Sequence, residues 1–265
     1  MAAAAGAALR SCGLIAACLL ATCAAPAEAR WHPRPTTKPW QLQLSGRVDT
    51  SVRAPVFDVD GVETPRRSIR RLHRRHRKVV CYFSAGSYEP YRADASRFPR
   101  ELLGKPIAGF PDERWLDIRR LDLLAPILRD RIDACRRKGF DAIDPDNVDG
   151  YTNATGFPLT AGDQLRFNRW LARAGHDHGL AVGLKNDPGQ ARTLARSFDF
   201  AVVEQCFQYS ECRFFKPFIR ARKAVYEVEY RTPRRRFCGR SRRLRFSSVF
   251  KRVSLRAFRR TCPGR

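Results

Sequence analysis

Acidic residues are scarce in this chain: 26 Asp and Glu stand against 51 Lys and Arg, a formal net charge of +25, and none follows Glu229. Such an excess raises the question of a nucleic-acid or anionic-surface partner. No recognisable nucleic-acid module accompanies it, so a specific nucleic-acid partner is not expected, and non-specific adhesion to anionic envelope polymer is. There is no G-x-G-x-x-G and no P-loop, which removes the usual nucleotide-binding motifs. There is no C-x-x-C and no H-x-x-x-H, so the cysteines do not read as a zinc site. The acid-rich segment DPDNVDGYTNAT lacks the terminal Glu of an EF-hand loop, which leaves calcium a secondary reading. No metal and no organic cofactor are expected. The apolar run Cys12 to Ala25 is interrupted by Thr22 and too short to cross a bilayer comfortably, so no transmembrane anchor is expected.

What is present is enough for a full core: 265 residues, 43% hydrophobic and 11% aromatic. Met1 to Ala29 carries Arg10 before an apolar stretch and ends in Ala27-Glu28-Ala29, the pattern of a secretion signal with an A-x-A cleavage site. Lipidation at Cys23 is a weaker alternative, because Thr22 fits a lipobox poorly. Export also suits the cysteines. With Cys12, Cys18 and Cys23 inside the signal, six remain, Cys81, Cys135, Cys206, Cys212, Cys238 and Cys262, an even number for an oxidising compartment. Six cysteines allow fifteen pairings; Cys206 and Cys212 are close enough to close a small loop and are the favoured pair, with the others open. Residues 30–38 (RWHPRPTTK) read as a Pro-rich linker, and residues 39–265 as a single domain that acts as a monomer.

Within that domain, eight short apolar runs alternate with helical patterns: WQLQLSG, APVFDVD, KVVCYFSAGSYE, FDAIDPDNVDGY, LAVGLKND, FDFAVVEQCF, KAVYEVEY and RFSSVFK. Helices are predicted at Arg66–Arg77, Leu121–Lys138, Ala161–His178 and Gly189–Ser197. Alternation of this kind indicates α/β class and a parallel sheet. Several runs turn polar at their C-terminal ends: Asp144-Pro145-Asp146-Asn147, Lys185-Asn186-Asp187, Glu204-Gln205 and Glu227-Val228-Glu229. A (β/α)₈ barrel gathers strand C-termini on one face, so these groups would converge there. In an extended segment Asp144 and Asp146 share a side. Glu204 closes an apolar strand, where a carboxylate needs either a reaction or a salt bridge; Lys185 is a candidate partner. Trp40, Tyr82, Tyr88, Trp115 and Tyr151 are candidate sugar-stacking aromatics, although each is individually more common as packing.

Seven words in series, from Trp40 to Lys251, carry a resemblance: WQLQLSG, VVCYFSAGSYE, ERWLDIR, GFDAIDPDNVDGY with TGF downstream, GLAVGLKND, FDFAVVEQCFQYSEC and KAVYEVEY. Together they resemble the endo-alpha-1,4-polygalactosaminidase family, glycoside hydrolase family 114. The resemblance implies a (β/α)₈ (TIM) barrel acting on galactosamine-containing polysaccharide, with the motif carboxylates at Asp146 of PDN and Glu204 of EQC. Relatives commonly carry Glu-Pro-Asp-Asn where this chain has Asp144-Pro145-Asp146-Asn147. By analogy with other barrel hydrolases, Asp146 is expected as nucleophile and Glu204 as acid/base, in a retaining reaction with carboxyls about 5–5.5 Å apart. Asp58, Asp60, Tyr82, Asp144, Asn147, Asp149, Lys185, Asn186 and Glu229 are the expected substrate-binding residues. The acids would make the pocket locally negative inside a basic protein.

Overall fold

The computed structural model describes residues 1–3 and 30–263; the expected secretion signal lies outside the described residues from position 4 to position 29. All eight expected strands are present and mutually parallel: β1 (Gln41–Gln43), β2 (Val56–Asp60), β3 (Lys78–Ser84), β4 (Ala142–Asp146), β5 (Ala181–Lys185), β6 (Phe200–Glu204), β7 (Val225–Glu229) and β8 (Ser247–Phe250). They follow one another in sheet order and curl until β1 returns to β7 and β8. At that seam Trp40 Nε1 donates to the Glu227 carbonyl (3.1 Å), Ser247 Oγ to the Lys38 carbonyl (2.5 Å), and the Leu44 amide to the Leu255 carbonyl (3.0 Å). The fold is an α/β barrel of the TIM type.

Side-chain alternation divides the core in two. Trp40, Leu42, Val56, Val80, Ala142, Ala181, Phe200, Val202, Tyr226, Val228 and Val249 fill the inside of the barrel. The opposite faces of the same strands pack against the helices through a larger cluster that includes Phe57, Val79, Ile143, Val182 and Ala201. The helices are α1 (Arg66–His73), α2 (Leu121–Lys138), α3 (Ala161–Asp177), α4 (Ala191–Leu194), α5 (Lys216–Arg220) and α6 (Arg234–Leu244). α1 ends earlier than its basic run suggested, because Arg74 to Arg77 turn the chain into β3 and His76 takes a left-handed backbone (φ 54°). α3 starts with a capping box between Thr160 and Asp163, and α2 stops at Gly139 (φ 95°). No helix separates β1 from β2, and β8 is followed by a short antiparallel strand, Arg260–Thr261.

Two features depart from the sequence reading. Residues 30–38 were expected as a linker, yet they pack on the barrel: Arg30 pairs with Asp199 (3.4 Å), Trp31 lies against Phe200, and the Pro33 carbonyl accepts from the Ala224 amide (2.9 Å). An insertion after β3 was not anticipated as a unit. It forms a three-stranded antiparallel sheet, Ser87–Tyr88, Leu103–Ile107 and Phe110–Leu116, anchored where Arg131 of α2 binds Asp94 (2.7 Å) and the Ser84 carbonyl (2.7 Å). Its strands are short and partly exposed, so their apolar pattern is weak.

The six cysteines pair as Cys81–Cys135, Cys206–Cys212 and Cys238–Cys262. The favoured pair is among them. Chain-entropy reasoning predicts that the bridge spanning 54 positions (Cys81–Cys135) stabilises by about 4 kcal/mol and the one spanning 6 (Cys206–Cys212) by about 2 kcal/mol. Paired Cys→Ala substitutions should therefore lower the guanidinium unfolding midpoint more for the first bridge. The reverse order would show that native packing, and not loop closure, governs these bridges.

Candidate active site

The polar strand ends do converge. A cavity of ≈ 650 Å³ at the C-terminal end of the barrel is lined by Asp146 and Glu204 together with Asp60, Tyr82, Asn147, Asp149, Lys185 and Asn186. A second cavity of ≈ 380 Å³ continues past Glu204, sharing Asp149, Asn186, Glu204 and Gln205 with the first and adding Tyr151, Asp187, Tyr209 and Glu211. The result is a cleft with space on both sides of Glu204.

Backbone geometry sets the aim of these groups. Asn147, Asn186, Asp187 and Gln205, which follow β4, β5 and β6, all have left-handed backbones (φ 61°, 49°, 55° and 56°). The turn lifts the chain off the sheet immediately after each functional side chain, a conformation Asn and Asp tolerate and Gln adopts less readily. Gly86 is required beside the first of these turns, since a Cβ there would lie 1.8 Å from the Asn147 carbonyl oxygen. Asn147 then donates through Nδ2 to Ser84 Oγ (2.9 Å) and Ser87 Oγ (2.8 Å).

Asp146 accepts three hydrogen bonds. Lys185 Nζ (2.9 Å) and the Tyr82 hydroxyl (2.8 Å) donate to Oδ2, and the Asn147 amide (2.7 Å) donates to Oδ1. Burial acts to raise this carboxyl, but the Lys185 charge and the three donors outweigh it and hold Asp146 below the ordinary carboxylate range. Lys185, 3% exposed, is under the opposite pressure. Burial disfavours its charge, yet Asp146, Glu204 and Asp144 keep it protonated well above its usual value. Glu204 Oε1 accepts from the Tyr230 hydroxyl (2.6 Å), and its amide donates to Asn186 Oδ1 (2.9 Å). Tyr82 and Tyr230 are both pushed well above the usual phenol value, first by burial and then by the neighbouring Asp146 and Glu204 respectively, so both remain donors.

Three expected substrate contacts are corrected. Asp58 and Asp144 are fully buried one layer beneath Asp146, on the same side of their strands, and do not line the cavity. Among the described residues, no amide, hydroxyl or cationic group donates to their four carboxyl oxygens, and the hydrogen-bond partner of each acid is the other. Glu229 lies on the outer face of β7, because Val228 takes the inward position; its Oε1 accepts from the amides of Phe207 (2.8 Å) and Gln208 (3.2 Å) and pins the loop after β6. Lys185 lines the cavity and its ammonium contacts Asp146 rather than Glu204. Among the aromatics, Trp40 is in the barrel interior against Tyr226 and Tyr88 packs on Phe98, whereas Trp115 and Tyr151 do line the cleft.

The sequence reading missed Tyr230, two residues beyond Val228 on the same strand alternation, and the contribution of the insertion. Glu89, Tyr91, Arg92, Phe110 and Glu113 all reach the cavity from it. Arg92 binds Asp60 (2.7 Å) and Glu89 (2.9 Å), which docks the insertion onto the end of β2. Tyr91 and Phe110 are 63% and 61% exposed at the rim. The main cavity thus carries six carboxylates, Asp60, Glu89, Glu113, Asp146, Asp149 and Glu204, against two cations, Arg92 and Lys185. Burial, with help from Asp146, pushes Asp149 up to about 6; burial, with help from Asp149, pushes Asp187 up to about 7. Among the described residues, no group of three or more His, Cys, Asp or Glu side chains is arranged to hold a metal ion.

A carboxylate pair on the open end of a TIM-type barrel, in an elongated acidic cleft, defines a glycoside hydrolase class of site. Comparison with known proteins supplies the family: the model of glycoside hydrolase family GH114 matches residues 21–265, and the chain belongs to that family. A crystal structure of Aspergillus fumigatus Ega3 in complex with galactosamine is 36% identical, with 88% of this chain and 98% of that chain covered and a TM-score of 0.83. The glycoside hydrolase domain of PelA from Pseudomonas aeruginosa shares the fold at 12% identity, with 84% and 98% covered and a TM-score of 0.66. No curated protein sequence matches the chain.

The buried acids generate a pH prediction. Burial foremost, opposed by Lys185 and reinforced by Asp146, pushes Asp144 up from 3.8 to about 7, and burial with the neighbouring Asp144 raises Asp58 as well. Such groups bind a proton more tightly folded than unfolded. Their contribution to stability is therefore complete below the ordinary carboxylate value and is lost as pH rises through about 7. Asp144→Asn should flatten the decline in Tm between about pH 4 and about pH 7. An unchanged slope would show that this pair does not hold a proton in the folded state.

Proposed function

We propose that the protein is an exported hydrolase that cleaves α-1,4-linked, galactosamine-containing polysaccharide, with Asp146 as nucleophile and Glu204 as acid/base. The observation that carries this reading is the acid-lined cleft around the two carboxylates: six acids among its lining residues, in a chain whose net charge is +25. A protonated amino sugar is stabilised there, since field lines from the carboxylates are concentrated in the cleft while the surrounding surface is basic. The galactosamine named in the Ega3 complex is a ligand of that chemistry. Three disulfides and the Ala-rich N-terminal segment support export.

The reaction in this reading is a double displacement. Asp146 is held ionised, and its Oδ1, with one backbone donor against two side-chain donors on Oδ2, is the freer oxygen for attack on the anomeric carbon. Glu204 gives its proton to the departing glycosidic oxygen as the Asp146 ester forms; it then takes a proton from water, whose oxygen displaces Asp146 and frees the sugar. Lys185 and Tyr82 stabilise the carboxylate that leaves in the second step. Tyr230 orients Glu204 through its 2.6 Å bond. Space on both sides of Glu204 supports binding of sugar units either side of the cleaved bond.

Asp146→Asn and Glu204→Gln are nearly isosteric and should leave folding intact while each lowers kcat by about 10²–10⁴-fold or more. Reducing ends released from a partly deacetylated α-1,4-galactosaminoglycan provide the readout, and NMR of the first-formed product gives its anomer. Near wild-type turnover in both variants would make the pair structural; an inverted product would remove the nucleophile role from Asp146.

A further inference from the structure

A second concave surface lies on the barrel flank, away from the carboxylates. The loop after β1 and the outer face of α1 enclose a groove of ≈ 540 Å³ whose lining includes Arg47, Arg67, Arg70, Arg71, Arg74 and Arg75 and only one acid, Asp49. That acid is already engaged, since its Oδ1 accepts from the amide (2.9 Å) and hydroxyl (2.6 Å) of Ser51. Arg75 donates to the Thr50 carbonyl (2.7 Å), which ties helix and loop together. Among the described residues, Arg47, Arg67, Arg70, Arg71 and Arg74 have no carboxylate within ion-pair distance. Elsewhere on this surface arginines do find acids, as Arg97 does with Asp130 and Arg166 with Asp163.

The arrangement is unfavourable for α1 taken alone. Ile69 and Leu72 hold it to the core, but its first turn has no acid, its N-cap Pro65 makes no side-chain capping bond, and Arg66 and Arg67 sit at the positive end of the helix dipole. Arg67 with Arg71, and Arg70 with Arg74, are like charges at i,i+4, which repel on a helix surface. An anion seated in the groove offsets the like-charge repulsion among the arginines that line it. One row of guanidiniums along successive turns, each able to bind a carboxylate through two N–H groups, matches a polymer that repeats its charge at about the helix pitch, ~5.4 Å. A chain of acidic sugars does so.

We propose that this groove is a second, non-catalytic binding site for a carboxylate-bearing acidic polysaccharide. It begins close to Leu44 and Ser45, which line the catalytic cavity, and descends the flank beside α1. The enzyme can thereby be retained in an anionic matrix while its acidic cleft stays open to a cationic glycan. Arg-rich α6 is the weaker candidate, because Arg234 and Arg242 spend donors on the Thr261 and Pro263 carbonyls.

The test uses the full chain and polygalacturonate as probe. The triple variant Arg67→Gln, Arg71→Gln, Arg74→Gln is compared with Arg235→Gln, Arg240→Gln, Arg243→Gln, which removes the same charge from α6. The α1 triple should lose about tenfold or more in polygalacturonate affinity at low salt, and its log K against log salt slope should fall by about three, one for each cation removed. Its free-state Tm should be unchanged or higher, its Tm gain on adding polygalacturonate should shrink, and hydrolysis should persist. The α6 triple should bind nearly as the parent does. Equal losses in both triples would reduce the effect to diffuse net charge and overturn the site. Single-stranded DNA of matched charge binding the groove more tightly than polygalacturonate would overturn the ligand class.

Discussion

One buried cation organises the centre of this protein. Lys185 closes β5 with its ammonium on Asp146, within electrostatic reach of Glu204 and of Asp58 and Asp144, which are fully buried above an apolar barrel interior. Removing one partner from such a buried ionic group typically costs about 3–5 kcal/mol, because the remaining charges lose their compensation. The same ammonium keeps Asp146 ionised against the effect of burial, and Tyr82, over whose ring it also sits at 5.3 Å, completes the hold on Oδ2. The stability of the barrel centre and the ionisation of Asp146 are therefore coupled at a single side chain. The acids beneath it, Asp58 and Asp144, make no salt bridge among the described residues, and burial raises the pKa of both despite the Lys185 charge.

Charge is separated by place as well as by amount. The outer surface carries the arginines, and the mouth of the barrel carries the acids. Most of the exposed basic groups are solvated and screened over about 10 Å at ordinary salt, so they do not cancel the field inside a narrow cleft. The insertion after β3 matters here, because Glu89 and Glu113 reach the cavity from it and Arg92 secures it to Asp60. Without that unit the cleft would lose its outer acids and the exposed rings of Tyr91 and Phe110.

Which residues reach the cleft was only partly legible in the chain. Short apolar runs ending in polar groups identified the eight strands, and the words PDN and EQC placed Asp146 and Glu204 at the ends of the fourth and sixth. A period of two predicts that Asp144 and Asp146 point the same way, which they do. It does not say how deep each lies, and two residues along β4 separate a cavity wall from a sealed layer. Glu229 failed for a related reason: on β7 the inward set is Tyr226 and Val228, continued by Tyr230 just past the strand, so the carboxylate faces the helices and the phenol faces the site. The strand was visible, but its phase was not. Glu89, Tyr91 and Glu113 stand in a short, irregular sheet whose pattern carries little signal, and only the docking of that sheet brings them to the barrel mouth.

The sequence by itself determined the class of fold, the order of the strands, the positions of Asp146 and Glu204 at two strand ends and the redox character of the cysteines, because each of these rests on local pattern or on motif words. Tertiary structure decided the remaining disulfide pairs, the partner of Lys185, the inward phase of β7, the closure of the seam between β1 and β8, and the packing of residues 30–38 under the barrel. Those outcomes depend on which distant segments become neighbours. Their energies come from burial and from opposite charges a few ångströms apart, quantities that exist only after the chain has closed on itself.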